Sequence, residues 1–465
     1  MNNLYATHIF QENPPQIPDG KRVPFSSGYF GLPANGTPAR LFFTKNNHLI
    51  PDSADIGPAR LRLLCAMDVR EQRLIEICIN GDPTPIGVLD IRFAYIQQPF
   101  DLEICKEIAE EILKNGVRIR MTKGKESTFF FFDQTDGNFC PALIFDAIYP
   151  DKLDAWRDRL LSTASIQPFG WMEGCVLDGL STMVQKGDKE ALSTIKMHLQ
   201  KFIIDDSLVY EDPHGYVSDN RIYGIEAGLP FAIMALHNIG EKPLQIFKGY
   251  IDSVPFEFII TDSEFISAEG SYTIAYPLAL MGRLQNNRML IDRAVTQLLL
   301  RKNVLRDKND LYLRSKDGDK SYKNWCRAYV WYLLGLVQVL NQIQIYGLSC
   351  PSELMNELQV VTDIAVSSLH QGLCHAFLGE PETGIETSGS AGIGAVLALG
   401  VQFGLLDREK YEHYIADIKL ALQAYLTPDG MLGGVSQSNR DGERLQRSGY
   451  RVTSQMGMGL MAHFI

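Results

Sequence analysis

Two different periods of apolar and polar residues divide the chain. Between Tyr29 and about Tyr149 the apolar residues come in short β-forming runs: RLFFT from Arg40, RLRLLCAMDV from Arg60, RLIEICING from Arg73, VLDIRFAYI from Val88, VRIRMT from Val117 and STFFFFDQ from Ser127. Turn signals such as NGD at Asn80, KNG at Lys114 and DGN at Asp136 cut them apart. One stretch, Leu102 to Lys114, has helical composition instead. This texture predicts a β-sandwich-like domain over residues 25–150, in which Phe129 to Phe132 form a buried strand. The Asn-, Pro- and Gln-rich residues 1–24 predict a loose leader or extended strap.

Past Pro150 the period becomes 3.6 and holds to the C-terminus, which predicts a helical domain over residues 151–465. Segments such as Gly174 to Asp188, Glu190 to Ile204, Ile225 to Gly240, Tyr272 to Gln285, Arg288 to Asn303 and Ser390 to Leu406 alternate between very apolar, Gly/Ala-rich helices and amphipathic ones. That alternation predicts an inner layer of buried helices and an outer layer facing water. At roughly 25 residues per helix and loop the length allows about twelve helices, or six hairpins. A toroid of such hairpins presents its connecting loops around one cavity.

Composition narrows the class. With 465 residues, 45% hydrophobic and 21% charged, the chain is globular and long enough for more than one domain. A net charge of −11 argues against a nucleic-acid partner, because phosphate binding needs a positive field. No apolar run is long enough to span a membrane and no signal segment is visible, so the expectation is a cytoplasmic protein. The eight cysteines form no CxxC and no cluster with His, which predicts reduced thiols and no metal site. The oligomeric state is left open.

The candidate chemistry centres on Asp310 to Leu340, a charged, aromatic loop feeding a long apolar helix with Tyr329, Leu336 and Leu340 on one face. Its lip carries Arg314, Lys316, Asp317, Lys320, Trp325 and Arg327, the combination of flat rings and cations that a carboxylated sugar requires. Elsewhere Glu226 and Glu269 are lone acids among uncharged residues at apolar helix mouths. Each also has a plain reading as a helix-start residue favoured by the helix dipole. Paired carboxyls in such places suit glycosidic hydrolysis, one as proton donor and one to activate water or attack.

Several motifs in one order resemble the unsaturated glucuronyl and unsaturated rhamnogalacturonyl hydrolases, over roughly Phe169 to Ile465. They are FGWMEGCVLDGL (Phe169 to Leu180), LYLRSKD (Leu311 to Asp317), NWCRAYVWYLLGLVQVL (Asn324 to Leu340), ETSGSAGIGAVLALGVQFGLLD (Glu386 to Asp407) and DGMLGGVSQSN (Asp429 to Asn439). The resemblance implies a six-hairpin (α/α)6 toroid carrying a glycoside hydrolase, with the N-terminal β domain outside it. It departs at Arg314, where the family carries His, at Ala328 and Val330, where it carries Gly, and at Glu226 and Glu269, where it carries Asp. These exchanges imply a different substrate or pose.

In that family an acid protonates the C4=C5 double bond of a terminal unsaturated uronate, water adds at C5, and the hemiketal collapses with loss of the sugar. The resemblance therefore implies Glu226 and Glu269 as acid/base groups, and Arg314 and Arg327 on the substrate carboxylate. It implies Trp171, Trp325 and Trp331 as stacking walls, with His214 and Tyr223 orienting the sugar and Asp219 in reserve. The expected partner is an oligosaccharide bearing a uronic acid, and no cofactor is expected. Two alternatives keep the fold: a hydrolase of saturated glucuronides, and a sugar-binding protein without catalysis. A polysaccharide lyase, with a Tyr or His base, ranks below them.

Overall fold

The computed structural model describes residues 4–43, 57–146, 149–261 and 264–465. Ten strands account for the N-terminal third: β1 Leu4–Gln11, β2 Tyr29–Leu32, β3 Ala39–Phe43, β4 Ala59–Leu64, β5 Gln72–Ile79, β6 Pro85–Arg92, β7 Pro99–Ile104, β8 Val117–Lys123, β9 Thr128–Phe131 and β10 Ala142–Phe145. Eight of them join antiparallel in the order β6-β5-β8-β3-β1-β10-β4-β7, while β2 pairs with β9. Strand β1 serves both halves of the large sheet. Leu4 and Tyr5 pair with β10, and from Ala6 onward the strand pairs with β3 across a register shift. The two edges then meet where Leu102 of β7 fills the space over Gly87 of β6, so the sheet folds back on itself.

Two expectations change here. Residues 4–11, read as part of a leader, form the shared strand β1, because their Leu4 and Ala6 are buried between the two halves. The helix read from Leu102 starts later, as α1 Lys106–Asn115, since Pro99 to Ile104 pair with β4 along its length. Thr44, the end of the expected RLFFT strand, lies outside the described residues, as do residues 45–56 and 147–148 of the expected β domain.

The rest is helical: α2 Lys152–Leu160, α3 Trp171–Gln185, α4 Lys189–Phe202, α5 Leu229–His237, α6 Glu241–Asp252, α7 Tyr276–Leu284, α8 Arg288–Leu305, α9 Cys326–Tyr346, α10 Ser352–Ser367, α11 Thr387–Gln402, α12 Arg408–Gln423, α13 Gly442–Arg447 and α14 Gln455–Met461. Contacts run in a closed cycle, α3 to α5, α7, α9, α11, α14 and back to α3. Helices α4, α6, α8, α10, α12 and α2 each back one member of that cycle. The inner helices are buried on nearly every face, as in α9 and α11, which is why their sequences show little polar face. Their caps are local: Asp188, Asn287 and Asp407 accept backbone N–H bonds at the starts of α4, α8 and α12.

The charged stretch before α9 is a hairpin rather than a loop, with Asp310–Lys316 paired to Asp319–Lys323. Buried Leu311, Leu313 and Ser315 alternate with Tyr312, Arg314 and Lys316, a period of two inside a charged sequence. Cys326 and Cys374 form a disulfide with Cα atoms 7.0 Å apart, a correction to the expectation of reduced thiols throughout. Their approach follows from the fold, which seats the first turn of α9 against the short strand of Cys374 and His375. Among the described residues no helix is long and apolar enough to cross a membrane.

A buried ion network ties the β-rich part to the helices. Arg62 of β4 donates to Asp101 of β7 at 2.7 and 2.6 Å and to Asp429 at 2.6 Å, and Arg159 of α2 also pairs with Asp429. Gln437 donates to Arg92 O at 2.8 Å and Gln455 to Gln97 O at 3.0 Å. The end of the sheet that carries residues 92–98 is thereby fixed over the mouth of the helical cycle.

Candidate active site

Glu226 lies in the turn Ile225–Ala227 that precedes α5, and Glu269 lies just before a wide helical turn, Ser271–Ala275, that leads into α7. Pro277 has no N–H, so the Thr273 carbonyl four residues back lacks its ordinary α-helical donor. Gly228 packs directly on that carbonyl, where any Cβ would collide with it. This close approach sets the two acid-bearing turns side by side.

Arg314 lies between the acids. Its Nη2 is 4.0 Å from Oε1 of Glu226 and 3.7 Å from Oε2 of Glu269. The two carboxylate oxygens are therefore within about 8 Å of one another, a spacing that two-carboxyl glycoside hydrolysis accommodates. Arg314 is positioned through its strand, which pairs with Ser267. Ser267 in turn donates its hydroxyl to Oε2 of Glu269 at 2.7 Å and accepts from the Glu269 N–H at 3.1 Å. Behind it, fully buried Arg301 of α8 donates to the Ser267 carbonyl at 3.0 Å and to Gln297 Oε1 at 3.0 Å.

Both acids line one cavity of about 430 Å³, within the ordinary range for a small-ligand site. Trp171, at the start of α3, and Trp331 of α9 meet edge to face at 5.2 Å along one side. Tyr272 stacks on Trp331 with 9° between the planes, and its hydroxyl and that of Tyr276 donate to the buried carboxylate of Asp178, with Gln338 Nε2 at 3.1 Å. Burial first, and the Asp178 charge second, hold both tyrosine hydroxyls well above their ordinary range. This layer makes a rigid floor. Tyr223 and His214 also line the cavity, and the Tyr223 hydroxyl rests against Gly170, whose φ of 132° opens the space for it.

Eight of the nine residues expected from sequence therefore line this cavity, and the ninth, Arg314, joins it through the acids. Arg327 and Trp325 form a packed back wall. Arg327 donates to the Ser436 and Gln437 carbonyls at 2.6 and 2.8 Å and lies 4.6 Å over the Trp325 ring, which is 2% exposed. Lys316, Asp317 and Lys320 stand at the exposed end of the hairpin and are not in the lining; Lys316 pairs with Glu264 at 2.7 Å. Asp219 is likewise engaged elsewhere, by Arg22 at 2.9 and 2.8 Å, which holds its carboxyl below the usual range.

Sequence reasoning missed five charged or polar lining residues: Arg70, Tyr95, Asp212, Asn439 and Arg440. Arg70 and Tyr95 come from the β-rich part, in the connections β4–β5 and β6–β7. Tyr95 meets Trp171 edge on at 6.2 Å and lies 4.9 Å beneath the Arg440 guanidinium. Burial raises its hydroxyl and lowers the Arg440 guanidinium. Burial also raises the Asp212 carboxyl, against the pull of the Tyr216 N–H it accepts at 3.0 Å. A Tyr in a strand connection carries no local mark of a site whose other residues run from Arg70 to Arg440. Among the described residues no cluster of three His, Cys, Asp or Glu side chains could hold a metal ion.

Residues 272–464 match the family model Glycosyl Hydrolase Family 88. No curated protein matches the chain. Solved structures are similar at low identity. A Salmonella enterica serovar Paratyphi A protein described as a possible GH105 member shares 15% identity and a TM-score of 0.55, over 67% of this chain and 91% of its own. A family 105 glycoside hydrolase from C. acetobutylicum gives 20% and 0.54 over 67% and 96%, and an unsaturated glucuronyl hydrolase specific for heparin gives 13% and 0.52 over 67% and 95%. The match over residues 272–464 and the shared fold indicate a glycoside hydrolase, similar at low identity to the proteins of glycoside hydrolase families 88 and 105.

Proposed function

We propose that this glycoside hydrolase removes a terminal uronic acid, unsaturated at C4=C5, from an oligosaccharide, with Glu226 and Glu269 as the acid/base pair. The observation that carries the reading is the pair of carboxylates meeting at Arg314 Nη2, 4.0 and 3.7 Å away, in one cavity. Lone acids in uncharged sequence become a pair only through the fold, and a cation between them serves whichever is ionised. The inner and outer helices make an (α/α)6 toroid with this cavity at its mouth. The solved protein specific for heparin supports a uronide as the sugar cleaved.

In this reading one carboxyl delivers a proton to C4 of the double bond and the other takes a proton from the water that adds at C5. The resulting C5 hemiketal opens and releases the remaining sugar, so atoms and protons balance without a further reactant. Arg314 meets the developing charge at the acids and the uronate carboxylate beside them. Trp171 and Tyr223 form the sides against which the ring packs. The carboxylate spacing also suits ordinary hydrolysis of a saturated uronide. One assay separates the two: loss of the absorbance of the conjugated double bond on an unsaturated disaccharide supports the first, and release of saturated uronate with no unsaturated turnover supports the second.

A further inference from the structure

The cavity has a deep end and a mouth of different composition. Glu269, Trp331 and Trp325 at the deep end are 8, 4 and 2% exposed, while His214 at the mouth is exposed and the Arg70 side chain is 35% exposed. An enzyme that removes a terminal sugar seats that sugar beside the carboxylates and leads the rest of the chain out past the mouth. Whatever stands at the mouth therefore meets the second sugar.

Arg70 stands there, supplied by the β4–β5 connection of the β-rich part. Its Nε donates to Asp68 at 2.6 Å, and it makes no other hydrogen bond among the described residues. Asp68 is fully enclosed and already shared with Lys21 at 2.9 Å and Arg440 at 3.7 Å, so one carboxylate is set among three cations. Asp212 and Glu226 are the other acids whose charge reaches this group. Arg440 is committed to the Ala94 and Pro213 carbonyls, whereas Arg70 lines the cavity with Nη1 outside any hydrogen bond among the described residues. Its base is fixed by the Arg62–Asp429 network and by Gln437 on Arg92 O. The solved relatives are covered over more than nine-tenths of their length by two-thirds of this chain, so about a third of this chain has no counterpart in them.

We infer that Arg70, lent by the β-rich part, is a specificity-determining contact for an oxyanion, carboxylate or sulfate, carried on the second sugar of the substrate. The inference rests on the uronide reading given above. With Nε on Asp68 and Nη2 enclosed without a partner, Nη1 is the donor left toward the partly exposed mouth, where one charge-assisted bond rewards an anionic partner without trapping a buried charge. The β-rich part is then a wall of the active site.

The test uses the full chain and three unsaturated uronyl disaccharides whose second sugar is neutral, carboxylated or sulfated. Wild type, Arg70→Ala and Arg70→Lys are compared by kcat and KM from loss of double-bond absorbance. The ratio of kcat/KM for an anionic over the neutral disaccharide is expected to fall about tenfold in Arg70→Ala, through KM, with partial recovery in Arg70→Lys. The anionic disaccharide whose ratio falls identifies carboxylate or sulfate. An unchanged ratio for both overturns the inference, as does an equal loss on all three, which would mark a structural role. If wild type turns over none of the three, the uronide reading fails instead. Calorimetric binding of the same disaccharides then tests Arg70 alone: a tenfold loss confined to an anionic one supports it, and equal affinities for wild type and Arg70→Ala overturn it.

Discussion

Arg62 and Asp429 stand 367 positions apart in sequence and share a buried ion pair at 2.6 Å. Burial by itself would raise the Asp429 carboxyl, but Arg159 and Arg62 together hold it well below the usual range. Removing Arg62 leaves a buried carboxylate with one cation fewer and Asp101 without its bidentate partner. Arg62→Ala is expected to cost about 3–5 kcal/mol in denaturant unfolding. An acid depressed in the folded state contributes stability in full above its unfolded value of about 3.9, and loses that contribution as pH falls below it. Asp429→Asn should therefore lower stability at neutral pH and flatten its decline toward acid, which unfolding curves at stepped pH will show.

Gly170 is held at a φ of 132° under the Tyr223 hydroxyl. A methyl group there meets both a backbone region that L residues avoid and an occupied space. Gly170→Ala should displace Tyr223 from the cavity wall and lower kcat/KM for an unsaturated disaccharide about tenfold or more. Because the hydroxyl is the nearest obstacle, Gly170→Ala with Tyr223→Phe should recover part of the loss. Identical losses in the single and double variants would show that Tyr223 is not what the glycine makes room for.

Ser267 holds the Glu269 carboxylate through its hydroxyl at 2.7 Å and reaches back to Arg301 through its carbonyl. Ser267→Ala keeps the backbone anchor and deletes only the side-chain bond. The expected outcome is a fall in kcat of about tenfold to a hundredfold with KM changed far less, since a loosened acid mainly affects the reacting geometry. Equal changes in both constants would argue for a general disturbance of the cavity.

Much of this was legible along the chain, for reasons that differ by element. The layered helices announced themselves because α9 and α11 are apolar all round while α4 and α12 keep a wet face, and period and composition record burial directly. Glu226 and Glu269 stood out because a lone acid in an uncharged run is conspicuous. The hairpin bearing Arg314 was hidden: alternate positions Leu311, Leu313 and Ser315 point inward, but charge at the intervening positions made the run read as loop. Strand β1 was masked by its Pro- and Gln-rich surroundings. Arg70 and Tyr95 could not be found at all, because their role follows from contacts such as Gln437 on Gln98 that join residues 339 apart, and no local pattern encodes them.

The most direct test of the central claim is turnover of an unsaturated uronyl disaccharide by Glu226→Gln and by Glu269→Gln, each followed through loss of the double-bond absorbance, with binding measured alongside. Each substitution is expected to lower kcat by about a thousandfold or more while the disaccharide still binds. Wild-type turnover in both variants would contradict that claim.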